Sequence, residues 1–183
     1  NSKFKDELIK KYGKLLFDLA ENTLKVFSNE IIPDAQEENR LSSKYSKLIA
    51  SAKIDFDGKE LNLSQMVPYT QSKDRNVRIE AAKKVAQFFA ENQEEFDNIY
   101  DSLVKVRTKM AQKMGYKNYV EFGYKQLSRL EYDAKMVKGY RKQVLENIVP
   151  LHTELRKRQE KRLGLEKLRF YDEAIKFNSG NAD

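Results

Sequence analysis

The sequence predicts an all-α protein of long antiparallel helices with one small β-hairpin. The clearest helical signal is a stripe of apolar residues, three and four positions apart, that runs through residues 74–113. Glycine and proline are scarce, with 7 and 3 copies, and charged residues make up 34% of the chain, which suits long helices with solvated faces. The hairpin is indicated by Asp57-Gly58, which joins two short segments of alternating apolar and polar residues.

Two helices are predicted before the hairpin. Apolar residues recur at helical spacing from Lys3 to about Val26, although Gly13 within this run costs roughly 1 kcal/mol relative to alanine. Ser28 is a plausible N-cap for a second helix that continues to about Ala50. The two strands of the hairpin would be marginal in water by themselves, so they are expected to pack against helices or against parts of a longer protein that this sequence lacks.

The segment that follows the hairpin is predicted to be short and to lead into the central helix. Residues 63–69 are expected to form one helical turn after Ser64, stopped by Pro68. Asp74 is a good N-cap for the central helix, and Gly115 suits the positive φ of a residue just past its end.

The central helix carries one polar residue, Asn92, in its apolar stripe. An unbroken helix over residues 74–113 would be about 60 Å long, which is long for a small domain. The helix either runs on through Asn92 or breaks near Glu91 into two stacked helices, and the length favours a kink. The stripe consists of Ala81, Val85, Phe89, Asn92, Phe96, Ile99, Leu103, Val106 and Met110.

Two further helices are predicted towards the C-terminus. A short one covers residues 117–127, and Asp133 caps a long one that runs from Ala134 to about Leu163 and is ended by Gly164. Pro150 is expected to kink the long helix, and residues 168–171 are predicted to form a short strand. The predicted inward face of the long helix consists of Val137, Tyr140, Val144, Ile148, Leu151 and Leu155.

Short motifs are spread over nearly the whole chain. They are EENRLSS at residues 37–43 with LIASAKI at 48–54, QSKDRNVR at 71–78, KVR at 105–107, GYKNY at 115–119, RKQVLE at 141–146, and RLGL at 162–165 with FYDE at 170–173. Together they resemble the oligoendopeptidase F branch of the thimet-oligopeptidase-like zinc metallopeptidases. Each motif is a scaffold signature rather than a catalytic one, so the specificity of the resemblance lies in their order and number.

The resemblance implies that the chain is part of a larger helical metallopeptidase fold, a cytoplasmic enzyme that cleaves oligopeptides with zinc as its cofactor. Residues 1–70 would be the end of an N-terminal helical lobe with the hairpin, and residues 71–183 the N-terminal part of the peptidase domain. The family's chemistry sits in a His-Glu-x-x-His helix with a further glutamate ligand, and this sequence has no such motif. The chain is therefore expected to be an internal fragment that binds no zinc itself and supplies channel wall and support.

No catalytic, cofactor-binding or metal-binding residue is predicted within the chain. His152 is the only histidine, and a lone histidine without partners at ligand spacing is disfavoured as a zinc site. Asp172 and Glu173 are adjacent carboxylates, which rarely converge as an acid–base pair. Tyr171 is a candidate cleft-lining residue by resemblance, because residues 170–172 lead towards the family's substrate cleft, although a packing role is favoured.

Four aromatic residues lie close together after the central helix. Tyr116, Tyr119, Phe122 and Tyr124 could form a base-stacking platform, but a helix face of Tyr119, Val120 and Phe122 that docks on the central stretch is the favoured interpretation.

The composition bears on partners. The net charge of +7 raises nucleic acid as a partner, but basic and acidic residues alternate around the helices, so none is predicted. No apolar run approaches the length of a membrane span, so no membrane contact is predicted. The chain has no cysteine, which excludes thiol chemistry and fits a reducing compartment.

Self-association through truncated surfaces is expected, and the alternative function is a stand-alone helical interaction or adaptor domain with a basic face.

Overall fold

The computed structural model describes residues 3–180, which form helices and one two-stranded antiparallel sheet. The elements are α1 (Lys5–Tyr12), α2 (Leu15–Lys25), α3 (Ile32–Ala50), β1 (Ile54–Phe56), β2 (Lys59–Leu61), α4 (Val67–Thr70), α5 (Arg75–Glu91), α6 (Gln93–Lys113), α7 (Tyr119–Gln126), α8 (Ala134–Gln143) and α9 (Val149–Leu163). Short 3₁₀ turns lie at Asn29–Ile31 and Phe170–Asp172, and a π-helical turn spans Val144–Ile148. The predicted fold class, helices with one small hairpin, is confirmed.

The chain forms two compact units. Among the described residues, the first unit comprises the chain up to Ser42 together with Asp101–Arg141, and the second comprises Ser43–Tyr100 together with the chain from Lys142 onwards. The predicted division at residue 70 concerns the longer protein and stays a prediction. No helix within residues 3–180 combines the length and the apolar character that a membrane crossing needs.

The N-terminal helix predicted from Lys3 to Val26 is two helices. Gly13 adopts φ 81°, a left-handed value that ends α1, and its N–H donates to the carbonyl of Ile9 at 2.8 Å. Ser28 was expected to cap the next helix, but its side chain makes no capping hydrogen bond and a 3₁₀ turn precedes α3. In both places the chain turns locally, at Gly13 between α1 and α2 and at Asn29–Ile31 before α3. The apolar periodicity continues through these turns, so it does not reveal them.

The hairpin has the predicted turn. Asp57 and Gly58 both have positive φ, 54° and 69°, as a type I′ turn requires, and the register pairs Ile54 with Leu61. Pro68 lies in the first turn of α4, where its missing N–H costs nothing, so it begins a helix rather than stopping one. The hairpin packs into the core of the second unit, which contains Ala52, Ile54, Leu61, Met66, Ala81 and Phe88.

The central helix breaks where the sequence favoured a kink. α5 ends at Glu91 and α6 begins at Gln93, and the Asn92 side-chain amide donates to the carbonyl of Phe88 at 2.8 Å. The buried aromatic residue before the break is Phe88, 8% exposed, whereas Phe89, predicted in the stripe, is 40% exposed. Phe88 rather than Phe89 therefore belongs to the stripe, because a step of three from Val85 and of four to Asn92 keeps it on the same helix face.

The core of the first unit lies where α6, α7 and the turn before α3 supply apolar side chains. Its buried members are Ile31, Met110, Ala111 and Phe122, with Tyr116 and Tyr119 packed against them. The interpretation of these aromatic residues as core is thus confirmed for three of the four, but Val120, predicted on the same face, is exposed. Val120 points away because it lies two positions before Phe122 on α7.

The long C-terminal helix contains a π-helical turn directly before Pro150. The turn, Val144–Ile148, shifts the hydrogen-bonding pattern just where proline cannot donate, so the regular α-helix is interrupted before Pro150. A kink of the helix axis at Pro150 stays a prediction. Asp133 caps α8 by accepting from the Met136 N–H at 2.8 Å, and Gly164 ends α9 with φ 66°, both as predicted.

The prediction that the long C-terminal helix buries its apolar face is wrong. Its apolar side chains are largely exposed, because no other part of residues 3–180 covers them. The exposed members are Tyr140, Ile148, Leu151 and Leu155, while Val137 and Val144 are half-buried. Periodicity identifies an apolar face but does not say whether this chain covers it.

Candidate functional site

A buried aspartate organises the segment that contains the candidate cleft residue Tyr171. Asp172 is fully buried in the second unit, at the end of the 3₁₀ turn Phe170–Asp172. Its carboxylate accepts hydrogen bonds from Arg75 Nε at 3.0 Å, Arg75 Nη2 at 2.9 Å and Arg78 Nη2 at 2.9 Å. It also accepts a hydrogen bond from the backbone N–H of Arg169 at 3.1 Å, which closes the 3₁₀ turn. The prediction of a strand over residues 168–171 is therefore wrong, because this turn forms instead.

Arg78 extends this network to the backbone. Its guanidinium is almost completely buried and also donates to the carbonyls of Tyr171 at 3.1 Å and Ser72 at 2.8 Å. A buried arginine needs such acceptors, since each unsatisfied donor would cost free energy. The start of α5 is thereby fixed to the turn that carries Tyr171.

The environment of Asp172 favours the charged carboxylate. Burial alone would raise the pKa of Asp172, but the hydrogen bonds from Arg75 and Arg78 and the backbone N–H of Arg169 outweigh it, so the pKa lies below its ordinary value. A carboxylate held in this state is a poor general acid or base at neutral pH.

A second buried side chain fixes the other side of the turn. The Gln159 amide of α9 donates to the carbonyls of Ile175 at 2.6 Å and Glu173 at 3.2 Å. The Glu173 carboxylate is exposed and pairs with Arg156 at 2.7 Å. Asp172 and Glu173 are thus held by different arginines, and the arrangement is that of a structural anchor.

Tyr171 is half-buried beside a cation and an exposed ring. The Arg75 guanidinium lies 5.4 Å from the centroid of its ring, and the Phe170 ring lies 5.2 Å away and is largely exposed. The geometry places Tyr171 at the surface next to a fixed turn, and its role in a cleft stays a prediction.

The residues present do not fit a zinc ion. His152 is exposed on α9, and nearby Glu154 pairs with Arg158 at 3.2 Å. Within residues 3–180, no group of three or more histidine, cysteine, aspartate or glutamate residues could hold a metal ion. A catalytic zinc site needs about three such ligands and an open position, so no chemical step at zinc can be assigned to these side chains.

The first unit contains a cleft of about 820 Å³ that sequence reasoning missed. It lies along α7, the loop after it and the start of α8, and Tyr124, Arg129 and Tyr132 line it. Tyr124 had been grouped with the core aromatic residues, but its ring instead faces Tyr132 at a centroid distance of 6.2 Å. The available signal in the sequence was Arg129, which lies between the aromatic residues Tyr124 and Tyr132.

The chain was compared with known families, curated proteins and solved structures. The family model described as Peptidase family M3 matches residues 68–178, more than half of the chain. The comparison with curated proteins returned no match.

Solved structures agree with the chain along almost its whole length. A protein from Bacillus anthracis str. Ames assigned as oligoendopeptidase F is 55% identical over 99% of this chain, with a TM-score of 0.92. A structure of PZ peptidase A with an inhibitor is 52% identical with a TM-score of 0.94, and another protein assigned as oligoendopeptidase F is 49% identical with a TM-score of 0.95. The chain spans 33%, 32% and 32% of these three chains, about a third of their length. The chain belongs to peptidase family M3.

Proposed function

We propose that this chain is the scaffold portion of a cytoplasmic zinc metalloendopeptidase that hydrolyses oligopeptides. The observation that supports this most is the agreement with solved peptidase structures over 99% of the chain at 49–55% identity. In this proposal zinc and its ligands lie in parts of the longer protein outside these 183 residues. The residues described above supply channel wall and support rather than ligands or the general base.

The polar network around Asp172 suits such a supporting role. Arg75 and Arg78 of α5 and Gln159 of α9 hold the turn Phe170–Asp172 from two sides. Catalytic groups work only when the surrounding structure holds them within a fraction of an ångström, and buried hydrogen-bonded side chains provide that rigidity. Tyr171, fixed by this network, is the residue that we propose to line the substrate cleft.

The remaining parts of the proposal follow the resemblance. Residues 1–70 would end an N-terminal helical lobe, and residues 71–183 would begin the peptidase domain. The cytoplasm is proposed as the location by the same resemblance, and a chain without cysteine, which forms no disulfide, fits a reducing compartment.

The test compares the 183-residue chain with the longer protein to which we infer that it belongs. We expect the longer protein to contain a His-Glu-x-x-His segment, to retain zinc after dialysis, to cleave a quenched fluorescent oligopeptide, and to lose activity with a chelator. The 183-residue chain should neither retain stoichiometric zinc nor cleave the peptide. Zinc-dependent turnover by the short chain would contradict the proposed location of the chemistry, and a gene without the zinc motif would favour the adaptor function.

A further inference from the structure

The cleft of the first unit is built around an arginine that two tyrosine rings hold in place. The Arg129 guanidinium lies 4.9 Å from the Tyr124 ring centroid and 6.0 Å from the Tyr132 ring centroid. Contacts of this kind orient a guanidinium without using its N–H donors. The preceding residue, Ser128, has φ 53°, so the chain turns sharply here and brings Arg129 back over α7.

Arg129 differs from the other arginines that are partly or fully buried. Arg75, Arg78, Arg107 and Arg156 each pair with a carboxylate within 3 Å. Arg129 is half-buried, yet it forms no ion pair with any aspartate or glutamate of residues 3–180. A guanidinium presents up to five N–H donors and prefers two-point contact with a carboxylate, so Arg129 is an oriented and unused carboxylate site.

The charges around the cleft favour an anionic partner. Lys117, Lys125 and Lys135 also line it, against Glu121, Glu131 and Asp133. The Asp133 carboxylate is already used, because it accepts the Met136 N–H as the cap of α8. Counting Arg129, four cations line the cleft against three carboxylates, one of which is engaged as this cap, so the lining carries a net positive charge.

The cleft also offers apolar surface next to Arg129. Leu130 is half-buried in its wall, and Val120 and Met136 are exposed to it at 55% and 60%. A ligand that suits these features carries both a carboxylate and an apolar side chain, as a peptide does. A volume of about 820 Å³ accommodates a few amino-acid residues.

We propose that this cleft binds peptides through a carboxylate that pairs with Arg129, while an adjacent apolar side chain packs on Val120 and Met136. The proposal rests on the proposed peptidase function and adds to it a preference for peptides with a carboxylate at this position. The carboxylate is either the peptide C-terminus or an acidic side chain, since both present the same two oxygens.

Binding to the 183-residue chain tests this directly. Fluorescence anisotropy would be measured with three labelled pentapeptides of one apolar sequence: with a free C-terminal carboxylate, with a C-terminal amide, and with the amide plus one internal glutamate. We expect at least one carboxylate peptide to bind about 10-fold or more tightly than the neutral amide, since a charge-assisted hydrogen bond is lost with the carboxylate. The two carboxylate peptides distinguish the C-terminus from the side chain.

Variants separate recognition from folding. Arg129→Gln should abolish the roughly 10-fold preference for the carboxylate peptide while leaving the amide peptide unchanged, whereas Arg129→Lys should keep part of it. Arg158→Gln is the matched control, because it removes an exposed arginine of the second unit that pairs with Glu154. Thermal melting of each variant checks that it is folded, and a melt lowered equally by Arg129→Gln and Arg129→Lys would point to a structural role.

Three outcomes would overturn the proposal: no peptide binding by the folded chain, equal binding of carboxylate and amide peptides, or an Arg129→Gln variant that keeps the preference. None of them bears on the peptidase proposal, which is decided by zinc retention and turnover in the longer protein.

Discussion

Two buried aspartates show how single residues hold this chain together. Asp172 is held by Arg75 and Arg78, and Asp34 by Lys109 at 2.8 Å and by Lys113. Hydrogen bonds from both lysines lower the pKa of Asp34 against the effect of its burial. In both cases two cations offset the cost of removing one carboxylate from water.

Neither aspartate network could be predicted from the sequence. Arg75 lies 97 positions from Asp172, and Lys113 lies 79 positions from Asp34, so no local pattern connects the partners. The sequence analysis predicts a short strand at residues 168–171. The 3₁₀ turn forms instead because the Asp172 carboxylate binds the backbone N–H of Arg169 and two distant arginines.

Replacing Asp172 tests the first network. Asp172→Asn removes the charge opposite the buried Arg78, and we expect the free energy of unfolding to fall by about 3 kcal/mol. Glu173→Gln is the control; Glu173 is exposed, so its ion pair with Arg156 should contribute below about 1 kcal/mol. Urea unfolding of the two variants gives the comparison. Equal losses of unfolding free energy would mean that the buried network stabilises the protein no more than the exposed ion pair does.

The same residue gives the protein a pH dependence. The pKa of Asp172 is lower in the folded state than in the unfolded chain, so its contribution is fully present above the unfolded value of about 4. That contribution is lost as pH falls below about 4 through the folded pKa. Acid unfolding followed by circular dichroism should therefore show a shallower stability loss for Asp172→Asn than for the unchanged protein. A parallel pair of curves would contradict the lowered pKa.

At the scale of elements, the sequence predicts turns and helix ends correctly where a single residue determines the backbone conformation. Asp57-Gly58 specified the hairpin, and Gly115 and Gly164 ended helices, each with positive φ. Gly13 also has positive φ and separates α1 from α2, whereas the apolar periodicity on both sides of it predicts one continuous helix. The exposure of the apolar face of α8 and α9 could not be predicted, because a periodic pattern identifies an apolar face but does not say which part of the protein covers it.

The break between α5 and α6 is held by a cluster of aromatic rings. Phe96, in the first turn of α6, is half-buried and its ring centroid lies 5.5 Å from Phe89, 6.4 Å from Phe88 and 5.9 Å from Tyr45. The contacts with Phe88 and Tyr45 are edge-to-face, and such contacts add to the stabilisation that comes from removing the ring's apolar area from water.

We expect Phe96→Ala to lower the free energy of unfolding by about 2 kcal/mol, less than for a fully buried phenylalanine. Tyr100→Ala is the matched control on the same helix, since its ring is 71% exposed, and it should cost below about 0.5 kcal/mol. Chemical denaturation measures both. If the two variants lose the same amount, the aromatic cluster does not stabilise the break.

At the scale of the whole molecule, the exposed apolar face of the C-terminal helices predicts self-association of the 183-residue chain. Within the second unit, Leu145, Ile148, Leu151 and Leu155 stand between 49% and 65% exposed along successive turns. Contiguous apolar surface of this kind is rare on monomers and associates in water. Sedimentation velocity at several concentrations should show a mass that rises with concentration.

The double variant Ile148→Lys and Leu155→Lys should shift the chain towards the monomer, because two charges then oppose burial of the face. Val104→Lys, which alters one exposed apolar residue of α6, should leave the association unchanged. A monomer at every concentration, or equal association of the double variant and the unchanged chain, would show that this face is stable in water without a covering partner.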